Sequence, residues 1–218
     1  MDLIDPALNF VSKISNMKFK ISIIAVLCLL AATVVQSQNT DPEDRRHFIG
    51  STLFVLANLT PDPPQYYQLN YGYRITPKDV LSLEAITWTY KGPLGRPYGP
   101  DYDNPESDFP GKVRAFGAGL AYKRFLWKRA YAQIHATAFH QNYLDELNNK
   151  IQSGFQLFNT FRLGYQIRIF KGRLFIEPSV AATFWPVNTN LPESFRVEED
   201  KWPNYFLFEP GLHFGVNF

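Results

Sequence analysis

Residues 206–218 constrain this chain more tightly than any other stretch. Every even position is apolar (Phe206, Phe208, Pro210, Leu212, Phe214, Val216, Phe218), and the odd ones after Leu207 are Glu209, Gly211, His213, Gly215 and Asn217. Apolarity that returns every second residue describes a strand with one greasy face and one polar face. Such a strand needs neighbours to satisfy its backbone and an apolar surrounding on one side only.

The rest of the chain supplies the neighbours. Besides the terminal strand 206–218, strands are predicted at 47–59, 65–76, 80–91, 112–126, 129–143, 154–170 and 173–187, which makes eight, with no convincing helical periodicity. The clearest alternation lies in 154–170, where Phe155, Leu157, Phe161, Leu163, Tyr165, Ile167 and Ile169 interleave with a set that includes Gln156, Thr160, Arg162, Gly164, Gln166 and Arg168. Connections at 77–79, 127–128 and 171–172 are short, while those at 92–111, 144–153 and 188–204 are longer. Short turns at one end and long loops at the other are the habit of membrane barrels. Among the long-loop connections only the breaker cluster Thr60-Pro61-Asp62-Pro63-Pro64 is brief. Strands of twelve or more residues suit a tilted bilayer crossing, which takes about 9 to 11. Eight is also the strand number at which a closed barrel is filled by its own side chains.

Register sharpens this expectation. A two-residue Lys171-Gly172 turn pairs Phe170 with Arg173, and so sets Gln166 against Glu177 and Gly164 against Ser179, polar face to polar face. A three-residue loop at 77–79 would pair Thr76 with Val80 and set Arg74 opposite Ser82. A two-residue Trp127-Lys128 loop gives the wrong parity, so a longer loop or a bulge is predicted there. In strand 80–91, Ile86, Trp88 and Tyr90 fall on the face of Ser82 and Glu84. Either a bulge near Ala85 repairs this or the aromatics point inward.

The N-terminal text reads as an export signal. Lys18-Phe19-Lys20, an apolar run at 21–35 and Gln36-Ser37-Gln38 predict a signal peptide over 1–37 cleaved after Ser37, with 1–16 as an upstream start extension. Residues 38–46 form a polar periplasmic lead-in to a barrel over 47–218. The single cysteine, Cys28, lies inside the signal, so no disulfide is expected. A net charge of +2 without a Lys/Arg cluster or a phosphate loop sets nucleic acid aside.

The strand count, the loop alternation and the apolar-aromatic run to Phe218 together resemble the small eight-stranded outer-membrane β-barrel proteins of Gram-negative bacteria, of the OmpA-barrel and OmpX type. The resemblance spans 47–218 and rests on pattern and the terminal motif. It implies an all-β, eight-stranded antiparallel up-and-down transmembrane β-barrel in the cell outer membrane, with short periplasmic turns and longer outer loops. It further implies an insertion signal at Leu212, Phe214, Val216 and Phe218 for the barrel-assembly machinery, outer-membrane lipids as surroundings, and an extracellular partner at the outer loops. A soluble calycin-type barrel, greasy inside and polar outside, is the structural rival. The charged second face and the bulky aromatics favour the membrane.

On that reading Arg74, Glu84, His135, Arg162, Arg168, Glu177, Glu209 and His213 point inward as a polar network that plugs the lumen, because an Arg facing lipid at the midplane costs roughly 2 to 4 kcal/mol. The repeats Ile176-Glu177-Pro178-Ser179-Val180 and Phe208-Glu209-Pro210-Gly211-Leu212 each place an inward Glu before an outward Pro, the Glu to be neutralised by Arg162 or Arg168. His135 and Thr137, with Glu84 or Glu177 across the lumen, sketch an acyl hydrolase without a matching motif. The acidic stretch 101–108 departs from a calcium loop, lacking its Gly and its distant Glu. No cofactor, metal or catalytic set is therefore assigned. Tyr66, Tyr67, Trp127, Trp185, Trp202 and Tyr205 are predicted at strand ends as interface aromatics. A non-enzymatic envelope role comes first. A lipid-modifying enzyme, a narrow pore and a ligand-binding barrel stay open.

Overall fold

The computed structural model describes residues 45–96 and 107–218. The signal 1–37, most of the lead-in and most of the acidic stretch 101–108 lie outside them. The chain forms one antiparallel up-and-down barrel: β1 (His47–Thr52), β2 (Tyr67–Arg74), β3 (Asp79–Tyr90), β4 (Lys112–Trp127), β5 (Ala130–Leu144), β6 (Lys150–Tyr165), β7 (Ile167–Ile169), β8 (Leu174–Asn188) and β9 (Tyr205–Asn217). β6 and β7 are one strand interrupted at Gln166, so the nine segments make eight staves. Consecutive staves pair throughout, with both β6 and β7 on β8, and β1 pairs with β9 to close the ring.

Side chains sort as the alternation demands. Leu69, Leu83, Phe116, Leu120, Ile134, Phe161 and Leu163 are all exposed on the outer face. Phe48, Val80, Phe125, Tyr131 and Phe175 fill the interior at the short-turn end. A soluble protein rarely shows such a continuous apolar belt, and a barrel without a free edge is the way a sheet crosses a bilayer. The polarity is that of a membrane barrel and excludes the calycin arrangement.

Turn chemistry sets most of the register. The Lys171-Gly172 turn forms as expected, with Lys171 and Gly172 at φ 56° and 76°, the positive pair that a tight hairpin needs. Gly164 faces Ser179, and Ile167 faces Ile176 in the same register. The bulge predicted near Trp127 is present between Phe125 and Trp127. β3 runs against β2 and β4 without a bulge, so Ile86, Trp88 and Tyr90 point inward.

Five expectations are corrected. The loop after β2 is longer, so Arg74 faces Val80 and Gly72 faces Ser82. The Thr76 hydroxyl accepts from the backbone N–H of Lys78 and Asp79 and donates to Asp79 Oδ2 at 2.6 Å, a side-chain-closed turn that takes up the extra residues. β1 stops at Thr52, and Leu53–Leu59 winds into a 3-10 segment whose first turn Thr52 caps. Its run Leu-Phe-Val-Leu-Ala-Asn-Leu does not alternate, which removes the reason for a strand. β6 begins at Lys150, four residues earlier than expected, leaving only 145–149 as a loop. A short helix, α1 (Glu193–Glu199), folds inside 188–204. Finally, β9 carries a bulge between its pairings with Ala181 and Thr183, where Phe208 takes φ 62°. The bulge flips the phase, so Phe206 points inward, against the expectation that every even residue faces lipid, and Phe208 is 79% exposed.

Candidate functional site

The lumen has three levels. Nearest the short turns, the Glu177 carboxylate accepts from Lys123 Nζ at 2.6 and 2.7 Å and from Gln166 Nε2 at 2.9 Å. Arg168 Nε donates to Gln166 Oε1 at 2.8 Å. Lys123 Nζ also lies 4.4 Å from the centre of the Tyr131 ring, and the Arg74 guanidinium 5.5 Å from that of Phe125. Both partners of the Lys123–Glu177 pair are almost wholly buried, so each depends on the other for compensation.

At mid-barrel, Glu84 accepts from Gln68 Nε2 at 2.6 Å and from Thr137 Oγ1 at 2.8 Å, and lies 3.3 Å from His135 Nε2. Thr137 Oγ1 is itself 3.1 Å from His135 Nε2. β3 and β5 bring these groups together through β4, where Gly119 faces both Glu84 and Thr137. A Cβ on Gly119 would stand 2.7 Å from both His135 Nε2 and Thr137 Oγ1, so only glycine leaves room for them. Arg162 bonds Ser179 Oγ at 3.0 Å and Glu209 at 3.2 Å, and Thr183 donates to Glu209 at 2.8 Å. His213 sits opposite Glu177 on β9 with its Nδ1 buried and without a hydrogen-bond partner.

The level towards the long loops is aromatic. Phe139, Phe158 and Trp185 form a cluster with Leu94, against which Ile86, Trp88 and Phe206 pack. Above it, Gln141 donates to Tyr90 at 2.7 Å and to Gln156 at 2.8 Å. α1 lies over the mouth: Phe195, fully buried, stacks on Phe109 at 4.7 Å and packs on Tyr143. Burial pushes the Glu199 carboxyl of α1 above the usual carboxylate range. A cavity of about 540 Å³ runs from the Lys123–Glu177 pair past the mid-barrel groups to this aromatic level.

The structure thus brings Glu84 and His135 together, pairs Arg162 with Glu209, and gathers Arg168 and Glu177 around Gln166. Arg74 stands by Phe125 and His213 faces the cavity. The partner of Glu177 is Lys123 rather than an arginine. Lys123 was absent from the expected network although it shares the parity of Gly117, Gly119 and Ala121; Gln68 was missed likewise. Thr137, His135 and Glu84 do meet, yet both oxygens approach Nε2. A nucleophile and an orienting acid would use different ring nitrogens, so the grouping is not a hydrolase relay. Of the expected interface aromatics, Trp185 is buried inside the barrel and Tyr66 lines the cavity, whereas Tyr67, Trp127 and Tyr205 are exposed.

No protein-family model matches the sequence, and no curated protein matches it. Among solved structures, the crystal structure of Neisserial surface protein A (NspA) aligns over 79% of this chain and 92% of its own, at 13% identity and a TM-score of 0.38. Likeness of that degree leaves the barrel to be argued from the chain's own pairing and burial.

Proposed function

We propose that this chain is a non-enzymatic outer-membrane barrel with a structural or surface-contact role in the cell envelope, exported through residues 1–37. The observation that carries the reading is a belt of exposed apolar side chains around a lumen crossed by the buried Lys123–Glu177 pair. Lipid surrounds the belt, the ion-paired floor plugs the lumen at its short-turn end, and α1 covers the other end. The apolar alternation Leu212, Phe214, Val216 and Phe218 is the signal that the barrel-assembly machinery reads before the ring closes, and the loops 92–111 and 188–204 carry the contacts with an extracellular partner.

Fractionation with heat-modifiable gel migration tests the placement: the protein is expected in the outer membrane, with a folded form that migrates differently from the boiled one. Recovery in the soluble periplasm would overturn it. In planar bilayers no stable unitary conductance is expected, and discrete steps would replace the plugged lumen with a pore. A lipid-modifying enzyme, the second reading, predicts altered lipid A mass spectra in cells carrying the protein. Unaltered spectra are expected.

A further inference from the structure

The barrel wall is not laddered all the way up. β1 pairs with β2 only as far as Gly50 against Asn70, and with β9 only as far as Thr52 against His213. Above that level β2 and β9 face each other across a gap, filled by the 3-10 segment Leu53–Leu59. That segment is tied to the chain entering β2, where Asn58 donates to the Tyr66 carbonyl at 2.6 Å and accepts from the Tyr66 N–H at 2.9 Å, and its other flank lies against β9 without joining its ladder. On the other side, Pro210 brings no N–H to the unpaired stretch of β9.

Phe54 is 49% exposed and yet lines the 540 Å³ cavity, and Pro210 is likewise exposed outside and part of the lining. The cavity therefore reaches the outer face of the barrel between the 3-10 segment and β9. The rim of this opening is apolar: Leu53, Phe54 and Leu56 on one side, Leu207 and Phe208 on the other, are all exposed. An opening so rimmed in the wall of a membrane barrel faces acyl chains rather than water.

The interior decides what fits. The volume lies within the roughly 300 to 1,000 Å³ of small-ligand sites. Ile86, Trp88, Phe139, Phe158 and Phe206 make one end apolar. The other end is polar, but its cations are committed: Lys123 to Glu177 and Arg162 to Glu209. With Glu84 added, the lining holds three carboxylates against those two cations, which disfavours a carboxylate or phosphate group. Uncharged groups remain in the lining, namely Asn70, Ser82 and Gln133 and the Thr137 hydroxyl, which donates to Glu84 and keeps a lone pair.

We propose that this cavity binds a single-chain lipid with an uncharged, hydroxyl- or ester-bearing end, admitted sideways from the bilayer between the 3-10 segment and β9. The chain lies among the aromatics and the polar end reaches Thr137 and the uncharged side chains beside it. The test uses the purified full chain in phospholipid nanodiscs with a photoactivatable monododecanoylglycerol, the crosslinks being mapped by peptide mass spectrometry. Saturable labelling of Ile86, Trp88, Phe139 or Phe158 is expected, competed by unlabelled monododecanoylglycerol at concentrations at least tenfold lower than by dodecanoate. Ile86→Trp, which fills the cavity, is expected to lower labelling at least tenfold, and Phe54→Ala, which widens the opening, to speed its onset severalfold. Labelling confined to outward residues such as Leu83 and Phe116, or equal competition by dodecanoate, overturns the proposal. Should Ile86→Trp not fold, an unchanged onset in Phe54→Ala overturns it as well.

Discussion

The repeats Glu177-Pro178 and Glu209-Pro210 spell the same device on adjacent strands, and the fold treats them differently. Glu177 lies at the closed, short-turn end of the wall, 3% exposed, with Lys123 at 2.6 Å. Glu209 lies beside the gap, its side chain 36% exposed and Arg162 at 3.2 Å. Pro178 pairs with Leu212 of β9 and faces the interruption between β6 and β7, whereas Pro210 lies on a stretch that β1 does not reach. One sequence element thus serves as a sealed floor in the first case and as the lip of an opening in the second. The neighbours decide, above all the point at which β1 stops.

The comparison breaks most readily at Lys123. Removing one partner of a buried pair strands the other, so Lys123→Ala is expected to cost about 3 to 5 kcal/mol in reversible unfolding from lipid or detergent. Replacing both with apolar residues of similar volume is expected to recover most of that loss. Gly72→Ala comes next: a Cβ there would stand 1.9 Å from the Phe48 ring, and overpacking the sealed half is expected to cost about 1 to 3 kcal/mol by the same measurement. Glu209→Gln sharpens the contrast, because a pair this open to solvent is worth about 1 kcal/mol or less. A loss there equal to that of Lys123→Ala would erase the distinction between the two halves.

The smallest effect concerns the cap. With its carboxyl raised by burial, Glu199 favours the docked α1 when protonated. The stabilisation is complete below the ordinary glutamate value, near 4.5, and is lost as pH rises through the shifted one. Hydrogen exchange in 193–199 is therefore expected to be severalfold slower at acid pH than at neutral pH, relative to the intrinsic rate, and Glu199→Gln to remove that difference.

The same division separates what the sequence makes legible from what it hides. At the short-turn end the tight Lys171-Gly172 turn fixes the register of its hairpin, so Gly164 against Ser179 follows from counting out of it. The open half depends on departures from period two. One extra residue at the Leu207–Phe208 bulge turns Phe206 inward, and nothing in an apolar run marks where the slip falls. Leu53–Leu59 leaves the sheet because it has no polar face to give the lumen, a cue present in its composition but outweighed by its apolarity. The Thr76 hydroxyl lengthens a loop that backbone counting makes shorter. α1, at seven residues, is too short to show a helical period. Lys123 was the readable omission, since parity alone places it in the lumen beside Ala121.

The most direct test is a nitroxide scan of single-cysteine variants of the mature chain along 205–217 in lipid vesicles. Collision with lipid-soluble oxygen should peak at 210, 212 and 214, fall at 209, 211 and 213, and change phase across the bulge, so that 208 is high and 206 low. High oxygen contact at the odd positions, or an alternation that runs through 206 without a slip, would contradict a membrane barrel whose wall opens beside β9.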